Sequence, residues 1–233
     1  MSMRPIKVVK NYIAHAEGSC LFSMGNTTVL CVATVDSKLP QFLAKDEANT
    51  RGWVTAEYSM LPRAGKERTP RNRGSGSGRS QEISRLVGRS LRGIVDLEKL
   101  DKKSITIDCD VIKADGGTRT ASINGGYIAL CLALKKLYKE KQLTSWPVRD
   151  YLAAISVGIV KGKKILDLCA LEDNNADVDL NVVMTGGGKL VEVQGTAEQV
   201  PFSRKDLDKM IDSASEGIKK IIKIQKKILG SNK

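Results

Sequence analysis

The sequence predicts an α+β fold with mainly antiparallel or mixed sheets, and three observations carry that expectation. Segments of period-two alternation and segments of helical spacing follow one another in the order strands, helix, strand, helix, strands, helix. Short turns rich in glycine and asparagine separate several neighbouring strand segments, as in hairpins. The uniform alternation of strand and helix that a doubly wound parallel sheet requires is absent. With 233 residues, 41% of them hydrophobic, the chain can bury a sizeable core, and one compact domain over residues 1–233 is expected.

The elements follow in order. "GSCLFSMGNTTVLCVATVD" at 18–36 places two β-branched, apolar runs around Gly25-Asn26, a hairpin entering a sheet. "GWVTAEYSM" at 52–60 reads as a further strand. Composition then changes: "LPRAGKERTPRNRGSGSGRS" at 61–80 carries two prolines, four glycines, five arginines and a lysine against one acid, Glu67. Such a stretch predicts a long exposed basic arm at about 61–79, and loops of that length are usually functional or disordered. Ile83, Leu86, Val87, Ser90, Leu91, Ile94 and Val95 recur at helical spacing and predict an amphipathic helix over 81–95 with Ser80 as N-cap. Arg85, Arg89 and Arg92 fall on its other side as a basic stripe. "SITIDCDVI" at 104–112 alternates as a strand, and "YIALCLALKKLYKEKQL" at 127–143 belongs to a helix expected to start near Thr120. Four strand-like runs follow at 153–160, 164–172, 176–185 and 189–197, spaced by "KGK", "DNN" and "GGG" as a series of hairpins. A last helix over 204–229, behind Ser203 as cap, repeats Leu207, Met210, Ile211, Ala214, Ile218, Ile221 and Ile222.

Lysine and arginine number 38 against 26 acids, a formal charge of +12 with pI near 9.5, which favours a polyanionic partner or an anionic surface. Residues 63–92 hold nine basic and two acidic side chains, so more than half of the net charge is concentrated there. The lysines of 205–233 fit a solvated surface instead. Cys20, Cys31, Cys109, Cys131 and Cys169 form no CxxC pair and lie in apolar runs, which suits buried reduced thiols and a cytoplasmic setting. No secretory signal opens residues 1–10 and no apolar run approaches the ~20 residues of a membrane span, so no membrane association is expected.

Two stretches carry chemistry. In "ADGGTRTASINGG" at 114–126, a strand passes through Gly116-Gly117 into a helix, so the N–H groups near Thr118, Arg119 and Thr120 lack intrahelical partners. Such a terminus attracts an anion, glycines let backbone approach it, and Arg119 adds a planar donor fork suited to phosphate. The plainer reading is an N-cap by Thr118 with Arg119 in solvent. No Gly-Lys-Ser/Thr follows, so this is not a Walker loop. In "LEDNNADVDLNVVMT", Asp177, Asp179 and Asn181 share one strand face. If that strand returned antiparallel to 164–172, Asp173 at the turn would converge on Asp179, a pair suited to Mg²⁺ or Mn²⁺; a polar hairpin on a solvent face is the alternative. His15 is the sole histidine and no GxSxG elbow is present, so zinc sites rich in histidine and serine hydrolases fall away. A basic arm, an anion pocket and paired carboxylates together suit phosphoryl or nucleotidyl transfer on a polyanion.

The blocks "NYIAHAEGS", "GWVTAEYSMLPR", "GRSQEISRLVGRSLR", "LDKKSITIDCDVIKADGGTRTASING" and "DLNVVMTGGGKLVEVQGTAE" closely resemble, in order and over residues 4–225, the bacterial ribonuclease PH family of phosphorolytic tRNA nucleotidyltransferases. The resemblance implies mixed sheets with packed helices in βαβ-type halves, assembled as a homo-hexameric ring, a trimer of dimers. It implies phosphate-dependent 3′→5′ removal of nucleotides from tRNA precursors and other RNA 3′ ends, reversible by nature. It places the phosphate co-substrate on Arg79, Gly117, Thr118 and Arg119, and the Mg²⁺-associated carboxylates on Asp173 and Asp179, with Asp173, Asp179 and Arg119 catalytic. Arg63, Arg68, Arg71 and Arg73 match the RNA-binding segment, while Arg85, Arg89 and Arg92 are left either to phosphate-backbone contact or to packing against a neighbouring subunit. The alternative within the same resemblance is an inactive or mRNA-directed RNA-binding subunit of an exosome-like ring. No further RNA-binding domain is seen in the sequence, so the stand-alone tRNA enzyme is expected.

Overall fold

The computed structural model describes residues 3–46, 48–71, 77–198 and 200–230. Among them, nine strands form two sheets. The first sheet has the order β1-β2-β3-β5-β4, built from β1 (Ile6–Lys10), β2 (Gly18–Met24), β3 (Thr27–Asp36), β4 (Trp53–Met60) and β5 (Ser104–Lys113). Its neighbours pair antiparallel except β4 and β5, which are parallel. One helical turn, α1 (Gln41–Ala44), follows β3, and the longer α2 (Gly78–Arg92) makes the β4–α2–β5 crossover that a parallel pair requires. Alternate residues of each inner strand point to one side: Cys20 and Phe22 on β2, Cys31 and Ala33 on β3, Ile105 and Ile107 on β5 are all buried.

The helix α3 (Thr118–Lys139) lies against that side and against the second sheet, with 16 of its 22 residues buried, so it is apolar on nearly every face. Gly125 lets it approach closely, since a Cβ there would lie 2.6 Å from the Cys31 sulfur. The second sheet, β7-β6-β8-β9, is antiparallel throughout and comprises β6 (Leu152–Val160), β7 (Lys163–Leu166), β8 (Val178–Thr185) and β9 (Leu190–Ala197). The buried Asn124 of α3 bonds both the N–H and the C=O of Ala154 on β6, at 2.9 and 2.8 Å, which ties the two halves together without an orphaned amide. The last helix, α5 (Arg204–Leu229), packs on β6 and is capped by Ser203, whose Oγ accepts from the Asp206 N–H at 3.1 Å. A single cluster of buried apolar side chains runs from β2 to α5.

Several expectations change in detail. The helix read as 81–95 starts at Gly78, because Ser77 rather than Ser80 caps it, the Ser77 Oγ accepting from the Ser80 N–H at 3.2 Å, and it stops at Arg92. Ile94 and Val95 are buried beyond its end. Arg79 therefore belongs to the first helical turn and not to the arm. The arm is also pinned at its other end, where Leu61 N–H donates to Val111 and Ala114 N–H to Ala64, each at 2.9 Å. The next helix begins at Thr118, two residues before the expected start, behind Gly117 in the left-handed region at φ 64°. The run 164–172 is not one strand: β7 stops at Leu166, Asp167 turns the chain at φ 64°, and a short helix α4 (Ala170–Asp173) follows. β8 consequently pairs with β6, not with that run. The edge strand β1 was not expected from the mixed composition of residues 1–10. All five cysteines are free thiols, four of them buried and Cys169 half-buried.

Candidate active site

The turn between β5 and α3 is built for close backbone packing. Gly116 and Gly117 both have positive φ, 74° and 64°, and a Cβ on Gly116 would lie 2.5 Å from the Leu168 carbonyl oxygen. The loop leading into α4 therefore rests directly on the glycine turn, and Asp115 fastens it there by accepting from the Ala170 N–H at 3.2 Å. Beneath the turn, Arg4 donates to the Asp115 carbonyl at 2.5 Å and pairs with both carboxylate oxygens of Asp167, at 2.5 and 3.0 Å. Asp167 is fully buried, so this forked pair holds the left-handed residue that follows β7. A local pattern could not announce it, because the partners lie 163 positions apart.

At the head of α3, the first intrahelical bond is Ala121 N–H to the Gly117 carbonyl at 3.0 Å. The N–H groups of Thr118, Arg119 and Thr120 thus have no partner within the helix and lie at its positive end. Thr118 is not an N-cap; its Oγ accepts from the Tyr58 hydroxyl at 2.8 Å, which leaves its own O–H to donate elsewhere. Burial pushes the Tyr58 phenol up, partly offset by Thr118 and by the charges of Arg79 and Arg119. Arg119 does not point into solvent: its side chain is 17% exposed, Nη1 donates to Gln194 Oε1 at 2.7 Å and lies 3.7 Å from Glu82 Oε1.

Asp179 on β8 faces the same space. Its pKa is pushed up to about 6, first by burial and then by the neighbouring Asp173, with Glu198 adding to the rise; Arg119 and the hydrogen bond from Asn181 at 3.2 Å oppose it. Its Oδ1 is buried with no hydrogen-bond partner among the described residues. Asp173 closes α4, and the convergence with Asp179 expected from a hairpin is reached instead by a helix end seated on the glycine turn. A cleft of about 820 Å³ takes in Arg79 from α2, Gly117, Thr118 and Arg119 from α3 and its turn, and Asp173 and Asp179 from the second half.

The remaining arginines sit elsewhere. Arg63, Arg68 and Arg71 are exposed and outside the cleft, and Arg73 lies outside the described residues. The arm nevertheless starts after Met60 and ends before Arg79, both of which line the cleft, so it is rooted on the cleft rim. Arg85 is exposed and Arg89 pairs with Glu192 at 3.6 Å, both along a groove of about 350 Å³ that shares Glu82 and Gln194 with the cleft. Arg92 leaves the expected stripe: it donates to the Val54 carbonyl at 2.7 Å and stacks 4.4 Å from the centre of the Trp53 ring, a packing role inside the chain. Tyr58, Glu82, Gln194 and Glu198 line or support the cleft without having been singled out. All four lie within the sequence blocks quoted above, but their spacing alone gave them no role.

Comparison with known proteins places both halves of the chain in one family. Residues 2–136 match the 3′ exoribonuclease family, domain 1, and residues 150–217 match its domain 2, so the cleft draws on both. The chain is 53% identical over 231 residues to a ribonuclease PH of Moorella thermoacetica, covering 98% of this chain and 91% of that one. It is 52% identical over 231 residues to a ribonuclease PH of a Geobacillus species, covering 98% and 89%. In fold it resembles the Archaeoglobus fulgidus exosome with RNA bound to the active site, with a TM-score of 0.78 at 23% identity over 95% of this chain and 88% of that one.

Proposed function

This chain belongs to the 3′ exoribonuclease family, and within it to ribonuclease PH, and on that premise we propose that the cleft at the head of α3 is where it works. It is a phosphorolytic 3′→5′ exoribonuclease and nucleotidyltransferase. An oxygen of inorganic phosphate attacks the terminal phosphodiester of RNA, the P–O3′ bond breaks, and a nucleoside diphosphate departs from an RNA one nucleotide shorter. A phosphodiester is exchanged for a diphosphate linkage, so the enzyme also runs in the polymerising direction.

The phosphate reading rests on one observation above the others: partnerless N–H groups, the free O–H of Thr118 and the guanidinium of Arg119 all converge at the start of a 22-residue helix. Arg119 and Arg79 supply the positive charge, Thr118 orients one oxygen, and Gly117 lets backbone come close. Catalysis of this kind is mostly positioning and charge neutralisation, with donors fixed before the substrate arrives.

Asp173 and Asp179 fit a divalent ion. The buried, partnerless Oδ1 of Asp179 beside a second carboxylate is a site short of positive charge. Two carboxylates leave most of a coordination sphere to water and phosphate oxygens, which suits Mg²⁺ or Mn²⁺. Such an ion would supply charge neutralisation next to the breaking bond. The chain's own contribution is to hold both carboxylates opposite Arg119.

The arm residues Arg63, Arg68, Arg71 and Arg73 are assigned to the RNA backbone, since they belong to the most basic part of the chain and the segment that carries them is bounded by Met60 and Arg79 of the cleft. The substrates proposed are tRNA precursors with extra 3′ nucleotides. A homo-hexamer, a trimer of dimers, is the proposed assembly, and the cytoplasm its place. Among the described residues no helix is long and apolar enough to cross a membrane.

The test is an incubation with Mg²⁺ and a tRNA bearing a short 3′ extension, with and without inorganic phosphate, followed by chromatography of the released nucleotides. Nucleoside diphosphates formed only with phosphate are expected. Monophosphates without phosphate would mean hydrolysis and overturn the reading; no release in either tube would make the chain an RNA-binding ring subunit.

A further inference from the structure

We infer that Gln194 is a positioning residue for phosphate, acting through Arg119 as the middle of a Glu82–Gln194–Arg119 chain; this deepens the proposed function and rests on its assignment of Arg119. The three residues come from α2, β9 and α3, and thus from both matched domains. Gln194 Nε2 donates to Glu82 Oε1 at 3.0 Å while its Oε1 accepts from Arg119 Nη1 at 2.7 Å. The carboxylate therefore decides which way the amide faces, because a flipped amide would set its NH₂ against a guanidinium and its oxygen against a carboxylate.

The consequence falls on the anion. Gln194 takes the Nη1 end of the guanidinium, and among the described residues Nε and Nη2 make no hydrogen bond to protein. Those two donors form the side-on fork that matches two oxygens of a phosphate. With Nη1 fastened, rotation about the last bonds of Arg119 is restricted and the fork is held ready. Glu82 alone could not do this. Its oxygen lies 3.7 Å from Nη1, beyond hydrogen-bond distance, and its side chain is 42% exposed. Gln194 converts a weak, screened attraction into a directed contact.

Gln194→Met keeps the length of the side chain and removes both the donor and the acceptor. Because the contact presets a binding group and does not follow the reacting atoms, its loss raises the KM for phosphate with kcat nearly unchanged. The expected rise is about tenfold, the scale of one hydrogen bond to a charged group. Initial rates of diphosphate release are measured against phosphate concentration on one oligoribonucleotide for the parent, Gln194→Met, the exposed-site variant Glu82→Ala, and the double variant. Glu82→Ala is expected to raise the phosphate KM by a smaller factor, and the double variant to be no worse than Gln194→Met, since both cut the same chain.

A phosphate KM at the parental value in either single variant overturns the inference, as does a fall in kcat together with a rise in the KM for RNA. Additive losses in the double variant also overturn it. If Gln194→Met does not fold, Glu82→Ala decides alone. A parent enzyme that releases no diphosphate strikes down the reading of the cleft instead, so the two failures are told apart.

Discussion

The two sides of the cleft are finished to different degrees. On the anion side the charged and hydroxyl side chains at the head of α3 already have protein partners: Thr118 is held by Tyr58, and Arg119 by Gln194. On the carboxylate side Asp179 keeps a buried oxygen with no partner among the described residues and a pKa pushed up to about 6 by burial and by Asp173. The first side is organised in the protein alone. The second holds an electrostatic debt that a proton or a cation relieves. On the proposed reading the difference separates two demands on a phosphorolytic site: the phosphate fork is in place before substrate binds, whereas the carboxylates gain from remaining unsatisfied.

Arg119→Ala tests the finished side and carries the largest expected effect. Losing a fixed charged donor to phosphate lowers phosphate-dependent release on the order of a hundredfold or more. RNA binding should be retained, because the arm arginines proposed to hold the RNA are untouched. A variant that degrades RNA at the parental rate would break the comparison at its first term.

Asp179→Asn tests the unfinished side, with opposite effects on activity and stability. In the protein without divalent ion, Asp179 has a raised folded pKa, so between the unfolded carboxylate value and about 6 the native state binds the extra proton. Stability is thus fully present at low pH and falls as pH rises through about 6. Asparagine carries no such charge and escapes the loss, so the variant should be more stable than the parent at pH 7–8 by up to about 2 kcal/mol. Thermal melts of both proteins in chelator across that range measure the difference, while phosphorolysis by the variant falls about a hundredfold. Adding Mg²⁺ should raise the melting temperature of the parent and leave the variant where it was. A variant less stable than the parent at pH 8 would mean that Asp179 is already satisfied.

What was legible in the sequence follows the range of the forces involved. The last helix is bounded by Ser203 and Leu229 as expected, and the hairpin at Gly25-Asn26 is where the alternation put it, because capping and turn preferences are local. The glycine turn into α3 was legible for the same reason, since two glycines stand directly between a strand and a helical run. The carboxylate pair was reached by an incorrect route. The run 164–172 has the alternation of one strand, but Asp167 breaks it in a conformation held by Arg4 from the far end of the chain. Gln194 had no local signal at all, since its meaning lies in Glu82, 112 positions away. Arg92 misled in the converse way, having the spacing of a surface stripe while Trp53 and the Val54 carbonyl draw it inward.

The arm offers a smaller effect that sharpens the contrast between holding the anion and holding the chain. Alanine at Arg63, Arg68 and Arg71 should weaken RNA binding at low salt and flatten its salt dependence, by about one unit of slope or less for each arginine–phosphate pair removed. The phosphate KM on a short oligoribonucleotide should not move, since none of the three lines the cleft. Filter binding across a salt series supplies the slope. An unchanged slope would remove these arginines from the RNA path.

The smallest effect belongs to Ser77, which bears on how much of the anion side depends on Arg79. Arg79 stands two residues into α2, and in the described residues the start of that helix is fixed by the Ser77 oxygen on the Ser80 N–H. Ser77→Ala removes a cap on an exposed helix end and should lower stability by about 1 kcal/mol. If Arg79 shares the phosphate with Arg119, fraying of that first turn should raise the phosphate KM by a few fold with kcat unchanged, because the second donor moves and the first does not. Thermal melts give the stability change and phosphate titrations give the KM. A lowered melting temperature with a parental phosphate KM would leave Arg119 and the head of α3 holding the anion alone, and would place Arg79 on the RNA side of the cleft.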